Sequence, residues 1–179
     1  MEQTVQPLGS RSNEVLTYWQ KLRRGRSLPV RTDLQPAALK CHLPDLFLLG
    51  WEETNLQFRL AGTRMCDLFA RELRQTDFLL LFESVSRDSV VEAALNGITL
   101  SQACRMDLMT GDGAHSAEFE MLILPLISPS GLCDRILGSL IPRPSVHRHA
   151  TIAMESLRLT GWSAAKEAEG DRIPASISL

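Results

Sequence analysis

The sequence predicts an α+β domain built on a single antiparallel sheet. Three observations point there. Two strand patterns flank a turn residue at Asn55, short helical patterns and loop follow, and three more strand patterns come after them, joined at Gly111-Asp112-Gly113 and Ser128-Pro129-Ser130-Gly131. Strand, strand, helices, then three strands is a meander with a helical insertion. The expected sheet therefore has five strands, with the insertion between the second and third.

The elements follow in order. Residues 1–12 read as a flexible N-terminus. Asn13 suits the cap of a helix from Glu14 to about Arg24, and Gly25 suits its end. Val15, Trp19 and Leu22 fall on one stripe of this amphipathic helix. Arg23-Arg24-Gly25-Arg26 places cations where the helix dipole favours them. Leu28 to Asp33 reads as extended, because Pro29 disfavours helix at Leu28. Pro36 suits the first turn of a short helix through Leu39. The first strand is expected over Asp45 to Glu52 and the second over Leu56 to Ala61. In the second, Leu56, Phe58 and Leu60 should share one face, with Gln57, Arg59 and Ala61 on the other.

At Gly62 the alternation stops. The glycine permits a sharp turn, and Thr63 can cap a short helix through Met65, Leu68 and Phe69. Residues 84–96 read as a longer helix closed by Asn96-Gly97, with Val85, Val91, Ala94 and Leu95 available for the core. The third strand is expected over Ile98 to Met109, the fourth over His115 to Leu126 and the fifth over Leu132 to about Ile141. The fourth places Ala117, Phe119, Met121 and Ile123 on one face. Leu122 and Leu124 make its other face apolar too, so something is expected to cover the sheet there. After Pro144 the pattern weakens: Thr151 to Leu159 reads as helix and Ser163 to Leu179 as disordered. Residues 13–145 thus form the expected domain, and 146–179 a partly disordered C-terminal extension.

Composition narrows the function. The 179 residues suit one domain, and 44% apolar with 22% charged residues is an ordinary soluble balance. A formal net charge of −2 offers no basic field to nucleic acid. No apolar run approaches the roughly 20 residues that span a bilayer. The first 25 residues lack a signal peptide's hydrophobic region. Neither nucleic acid nor membrane is an expected partner, and the expected compartment is the cytoplasm. Cys41, Cys66, Cys104 and Cys133 form no Cys-x-x-Cys pair and read as buried free thiols. His42, His115, His147 and His149 have no ligand spacing that argues for a metal. Asp45, Asp67, Asp77, Glu83 and Glu120 show no pairing suited to acid–base work, and no phosphate loop or nucleophile elbow is present. No catalytic residue is assigned.

Arg59 is the sharpest polar residue, and three readings stay open. It is a surface arginine, a structural partner of Asp33 or Glu120, or a pocket cation that recognises an anion. Arg31 and Asp33 lie on one side of an extended segment and suit the locking of that connector against the sheet.

Several motifs fit a known pattern: Pro29-Val30-Arg31-Thr32-Asp33, Leu43-Pro44-Asp45, Phe58-Arg59-Leu60-Ala61-Gly62-Thr63 and Phe69-Ala70-Arg71-Glu72-Leu73. From about residue 14 to 145 the chain resembles a family of small PAS-type proteins found mostly in alphaproteobacteria. Its pattern runs P-x-R-x-D, LP-x-hydrophobic, F-R-x-R/L-x-G-T and F-G-R-E-L. Ala70 departs from it, standing where the family usually has glycine.

The resemblance implies a PAS-like fold with a cavity between the sheet's concave face and the helical insertion. Phe58, Leu60, Met65, Leu68, Phe69, Phe78, Met106, Phe119 and Met121 would surround it, with Arg59 as its polar member; plain core is the alternative for the apolar ones. The resemblance also implies a non-catalytic sensory or adaptor domain that works through a small-molecule ligand, a signalling protein partner, or both. No cofactor is named by the residues. A haem sensor using Cys41, His42 or His115, a flavin sensor, and an enzyme using Arg59 with Glu120 are the alternatives. Finally, the stripe of Val15, Trp19 and Leu22 together with Leu122 and Leu124 is expected to form a homodimer interface, with a helix that covers its own sheet as the alternative.

Overall fold

The computed structural model describes residues 7–52, 54–111, 116–143 and 154–166. Helix α1 (Ser10–Arg23) comes first, then a connector with 3-10 turns at Arg31–Asp33, Pro36–Leu39 and Leu43–Asp45. Strands β1 (Leu46–Glu52) and β2 (Asn55–Ala61) follow. The insertion holds α2 (Thr63–Leu68), 3-10 turns at Phe78–Leu81 and Ser84–Ser86, and α3 (Arg87–Thr99). Strands β3 (Cys104–Thr110), β4 (Ala117–Leu126), β5 (Arg135–Pro142) and β6 (Arg158–Ala164) complete the described chain. The sheet order is β2-β1-β5-β4-β3-β6, and every neighbouring pair is antiparallel. Among the described residues no helix is long and apolar enough to cross a membrane.

The sheet has six strands where five were expected. The sixth pairs Cys104–Met109 of β3 with residues of 158–164, a stretch read from sequence partly as helix and partly as disorder. Its alternation is broken. Asp107 pairs with Gly161 while Leu108 pairs with Leu159, so Thr160 is an extra residue in a bulge. That bulge lets Leu159 and Trp162, three apart, both pack on the same core, where a strict period of two would put them on opposite faces. Residues 146–153 and 167–179 of the C-terminal extension lie outside the described residues, as do Asp112-Gly113, His115, His147 and His149.

Both sheet faces are covered. On the inner face the insertion packs over Phe47, Leu49, Phe58, Met106, Phe119 and Met121. On the outer face α1 and the connector pack over Leu46, Leu48, Leu122, Leu124, Leu126 and Leu137. The helix starts at Ser10 with Gly9 as its N-cap, not at Asn13. It ends through Arg24 at φ 47° and Gly25 at φ 83°, two left-handed residues in succession. Arg26 closes the end, its Nη2 donating to the Leu22 carbonyl at 3.1 Å.

The stripe assigned to a dimer is buried within one chain. Val15, Trp19 and Leu22 are 0%, 1% and 8% exposed, and Leu122 and Leu124 are 0% exposed. Trp19 donates from Nε1 to the Pro125 carbonyl at 2.9 Å, which satisfies the one polar atom it buries. The apolar second face of β4 thus receives its cover from the chain's own helix, and these five side chains are not available to a second copy. Helix α3 also departs from expectation. It runs on through Gly97 to Thr99 and buries Val90, Ala93, Ala94 and Gly97, while Val85 and Leu95 stay exposed.

Candidate functional site

The inner face gathers most of the residues given to a cavity. Phe58, Met65, Phe69, Phe78, Met106, Phe119 and Met121 are all buried in one cluster, with Leu68 half-buried against it. Phe58, Phe47 and Phe78 meet pairwise at centroid distances of 5.7–5.8 Å, and Phe82 stacks edge-on at 5.1 Å from Phe78. These separations are those of rings in favourable contact. The Phe47 ring lies across Gly138 of β5, where a Cβ would meet its Cζ at 2.1 Å. Rings and thioethers therefore fill the space between sheet and insertion. Methionine's three rotatable bonds give this filling some ability to rearrange.

Leu60 and Arg59 are not part of it. Leu48 pairs with Leu60 and Leu49 with Phe58, which leaves Arg59 as an extra residue in a bulge. The bulge breaks the period of two, so Leu60 turns to the outer face and is 55% exposed. Arg59 pairs with Glu52 on the neighbouring strand, and its Nε lies over Gly50, 2.8 Å from where a Cβ would stand. Neither Asp33 nor Glu120 is its partner. Asp33 pairs with Arg26. Glu120 is 2% exposed and accepts from Arg143 at 2.7 Å and from the Gly9 N–H at 3.2 Å, with Arg105 at 3.3 Å. Strands β1 and β5 separate Arg59 from Glu120, so the pair considered for catalysis is not assembled.

Gly62 and Thr63 differ from expectation in mechanism. Gly62 is itself the N-cap of α2, and Thr63 is its first residue. Its φ of −68° is open to any residue. What requires glycine is a close approach, since a Cβ would stand 2.3 Å from the carbonyl oxygens of both Leu43 and Pro44.

That approach brings together a group the sequence reading passed over. Asp45 is fully buried and pairs with Arg11 of α1 and with Arg64 of α2. Helix α1 lies on the outer face and α2 lines the interior, so one carboxylate ties both layers. Glu14 and His42 add a second tie between α1 and the connector, at 2.8 Å. His42 thus faces α1 and not the inner cluster. The signal available in the sequence was the run Leu43-Pro44-Asp45 directly ahead of a strand apolar on both faces, where an ionised carboxylate must find partners.

Two of the thiols, Cys104 and Cys133, are poor nucleophiles. Burial pushes Cys104 up to about 12, against a weaker opposing effect of a backbone hydrogen bond at Ser163. Cys133 is raised by burial first and by the neighbouring Asp134 charge second.

A groove of about 290 Å³ opens on the outer face beside α1. Its floor is Leu46, Leu48, Leu60 and Leu137, one face of β1, β2 and β5. Tyr18 of α1 and Leu34, Leu39 and Leu43 of the connector form its walls, and Arg31 stands at its rim. Arg31 was expected to lock the connector. Its backbone does so, the N–H donating to the Ile127 carbonyl at 2.7 Å, but its guanidinium has no ion pair or hydrogen bond among the described residues. Leu46-Phe47-Leu48-Leu49 is apolar on both faces, as β4 is at Leu122 and Leu124, and that pattern is the sequence signal for this floor.

Known proteins bear on this chain at the level of family. No curated protein sequence matches the chain. Among solved structures it is similar to the light-oxygen-voltage domain studied with a flavin analogue, at 12% identity and a TM-score of 0.49 over 61% of this chain and 84% of that one. The dark structure of the blue-light photoreceptor Aureochrome1 LOV gives 10% and 0.47 over 61% and 82%. An RNA-binding light-oxygen-voltage receptor gives 14% and 0.46 over 64% and 36%. At such values nothing that those proteins bind carries over. The family model described as PAS domain matches residues 9–141, from the N-cap of α1 through the penultimate residue of β5. The chain that folds in this way belongs to the PAS domain family.

Proposed function

We propose that the protein is a non-catalytic sensory or adaptor domain of the cytoplasm, of the small single-domain type that its motifs resemble. It works by passing the state of its interior to a protein partner. The observation that carries this reading is Asp45. A buried carboxylate held by Arg11 and Arg64 joins the helix that lines the interior to the helix that covers the opposite sheet face. Rearrangement around Met65 on α2 therefore pulls on α1, and α1 presents its outward side to any partner. Both arginines are about 40% exposed while Asp45 is fully buried, so one arginine can exchange with water while the other still holds the buried charge. A small ligand among the rings and thioethers, and two-fold pairing of the chain, belong to the same reading.

Protein purified from its own host and weighed by native mass spectrometry is expected to carry a small molecule, a second copy or a partner protein. Asp45→Asn is expected to weaken partner capture while leaving any bound small molecule in place. A bare monomer from the host whose hydrogen exchange in α1 is unchanged by Asp45→Asn refutes the reading.

A further inference from the structure

We propose that the outer-face groove binds a small amphiphilic carboxylate, an aliphatic chain ending in a carboxyl group. The groove's leucine floor faces away from the inner cluster, and its assignment does not depend on the reading given above.

Three observations converge. The groove is apolar and of definite size: about 290 Å³ over a leucine floor is room for roughly ten groups at about 30 Å³ each, the span of a medium-length acyl chain. Its wall is already built. Tyr18 Oη accepts from the Gln35 N–H at 2.7 Å, which holds the connector against α1, and the Arg31 N–H is fixed to Ile127. A preformed wall lowers the ordering cost of binding. The third observation is charge. Arg26, Arg59 and Arg135 are paired with Asp33, Glu52 and Asp134, whereas the Arg31 guanidinium at the rim has no partner among the described residues. A planar donor fork beside an apolar trough suits a carboxylate head on an apolar body. Arg31 is half-buried and Leu60 is 55% exposed, so the polar end and part of the floor are open to a ligand arriving from solution.

Tyr18 is the only tyrosine of the chain and lines this groove, which makes it a selective reporter. The test uses the whole chain with fluorinated tyrosine, decanoate as probe and 1-decanol as its uncharged match. Decanoate is expected to shift the single fluorine resonance with one-to-one calorimetric stoichiometry, and to bind about tenfold more tightly than decanol. Arg31→Gln should remove that tenfold advantage and leave decanol binding unchanged. Leu60→Asp should abolish decanoate binding without lowering the melting temperature, because the residue is exposed. The proposal is overturned if decanoate binds without moving the Tyr18 signal, if Arg31→Gln weakens both probes equally, or if no binding is seen at millimolar decanoate. It is overturned as well if Leu60→Asp converts a dimer into a monomer, because the groove is then the seat of a second copy.

Discussion

Replacing Ala70 with glycine is expected to stabilise this protein. Helix α2 ends in a complete Schellman closure. The Ala70 N–H donates to the Asp67 carbonyl at 3.2 Å and the Arg71 N–H to the Cys66 carbonyl at 3.1 Å, with Phe69 as the C-cap. Such a closure needs a left-handed residue just after the cap, and Ala70 supplies it at φ 48°. An L-residue with a Cβ holds that conformation at a cost of about 1–2 kcal/mol. Glycine removes the cost but gives up about 0.5–1 kcal/mol of chain entropy. Ala70 is exposed, so no packing is lost with its methyl group. The net gain is about 0.5–1 kcal/mol. For a chain of this size that raises Tm by about 1–4 °C. Urea titration should move the midpoint up with an unchanged slope, which separates a real stability change from a change in compactness. An Ala70→Gly variant that melts at or below the parent's temperature refutes the closure as described.

Three further outcomes follow from the packing and the thiols. Gly62→Ala should destabilise by about 2–4 kcal/mol, since its methyl group meets the backbone carbonyls of Leu43 and Pro44 and only a shift of the connector relieves it; urea unfolding measures this, and parental stability would mean that the connector is not seated there. Trp19→Glu should unfold the domain, because it removes a core indole worth about 3–5 kcal/mol and buries a charge without a partner; a folded variant whose only change is oligomeric state would contradict the burial of α1. At pH 8 a thiol reagent should label exposed Cys41 quickly and leave Cys104 unreacted until the chain unfolds, because Cys104 is buried and its pKa stands near 12. The same shift sets a pH dependence. The folded pKa lies above the ordinary thiol value of 9.0, so this thiol's contribution to stability is whole below pH 9 and is lost as pH rises toward about 12.

The sequence made the sheet legible wherever strands keep a strict period of two. Phe58, Met106, Phe119 and Met121 lie on the inner face because nothing interrupts their alternation before them. It misled where one residue is inserted: Arg59 in β2 turned Leu60 outward, and Thr160 in β6 broke the alternation that would have marked a sixth strand. A bulge has no strong composition of its own, so periodicity cannot announce it. Asp45 was seen and set aside, because its partners Arg11 and Arg64 stand 34 and 19 residues away and only the fold brings them together. The apolar second face of β4 was legible, but its cover was not. A helix with a tryptophan stripe is equally suited to its own sheet and to a twin, and chain connectivity through the short connector decided for the former.

The last strand has a consequence for how the protein is made. Met154 donates its N–H to the Leu68 carbonyl, Leu157 donates to Leu81, and Glu83 donates back to Leu157. The segment that pairs with β3 thereby also fastens the insertion, which was synthesised much earlier. A ribosome adding about 5–20 residues per second delivers Met154 several seconds after Leu68. During that interval the carbonyls of Leu68 and Leu81 face water and one edge of β3 is open to other chains. The family match ends at residue 141, before this fastening begins. A gene cut at that boundary should yield a nascent domain held permanently in its waiting state, sticky and sensitive to proteases, although the whole matched stretch is present.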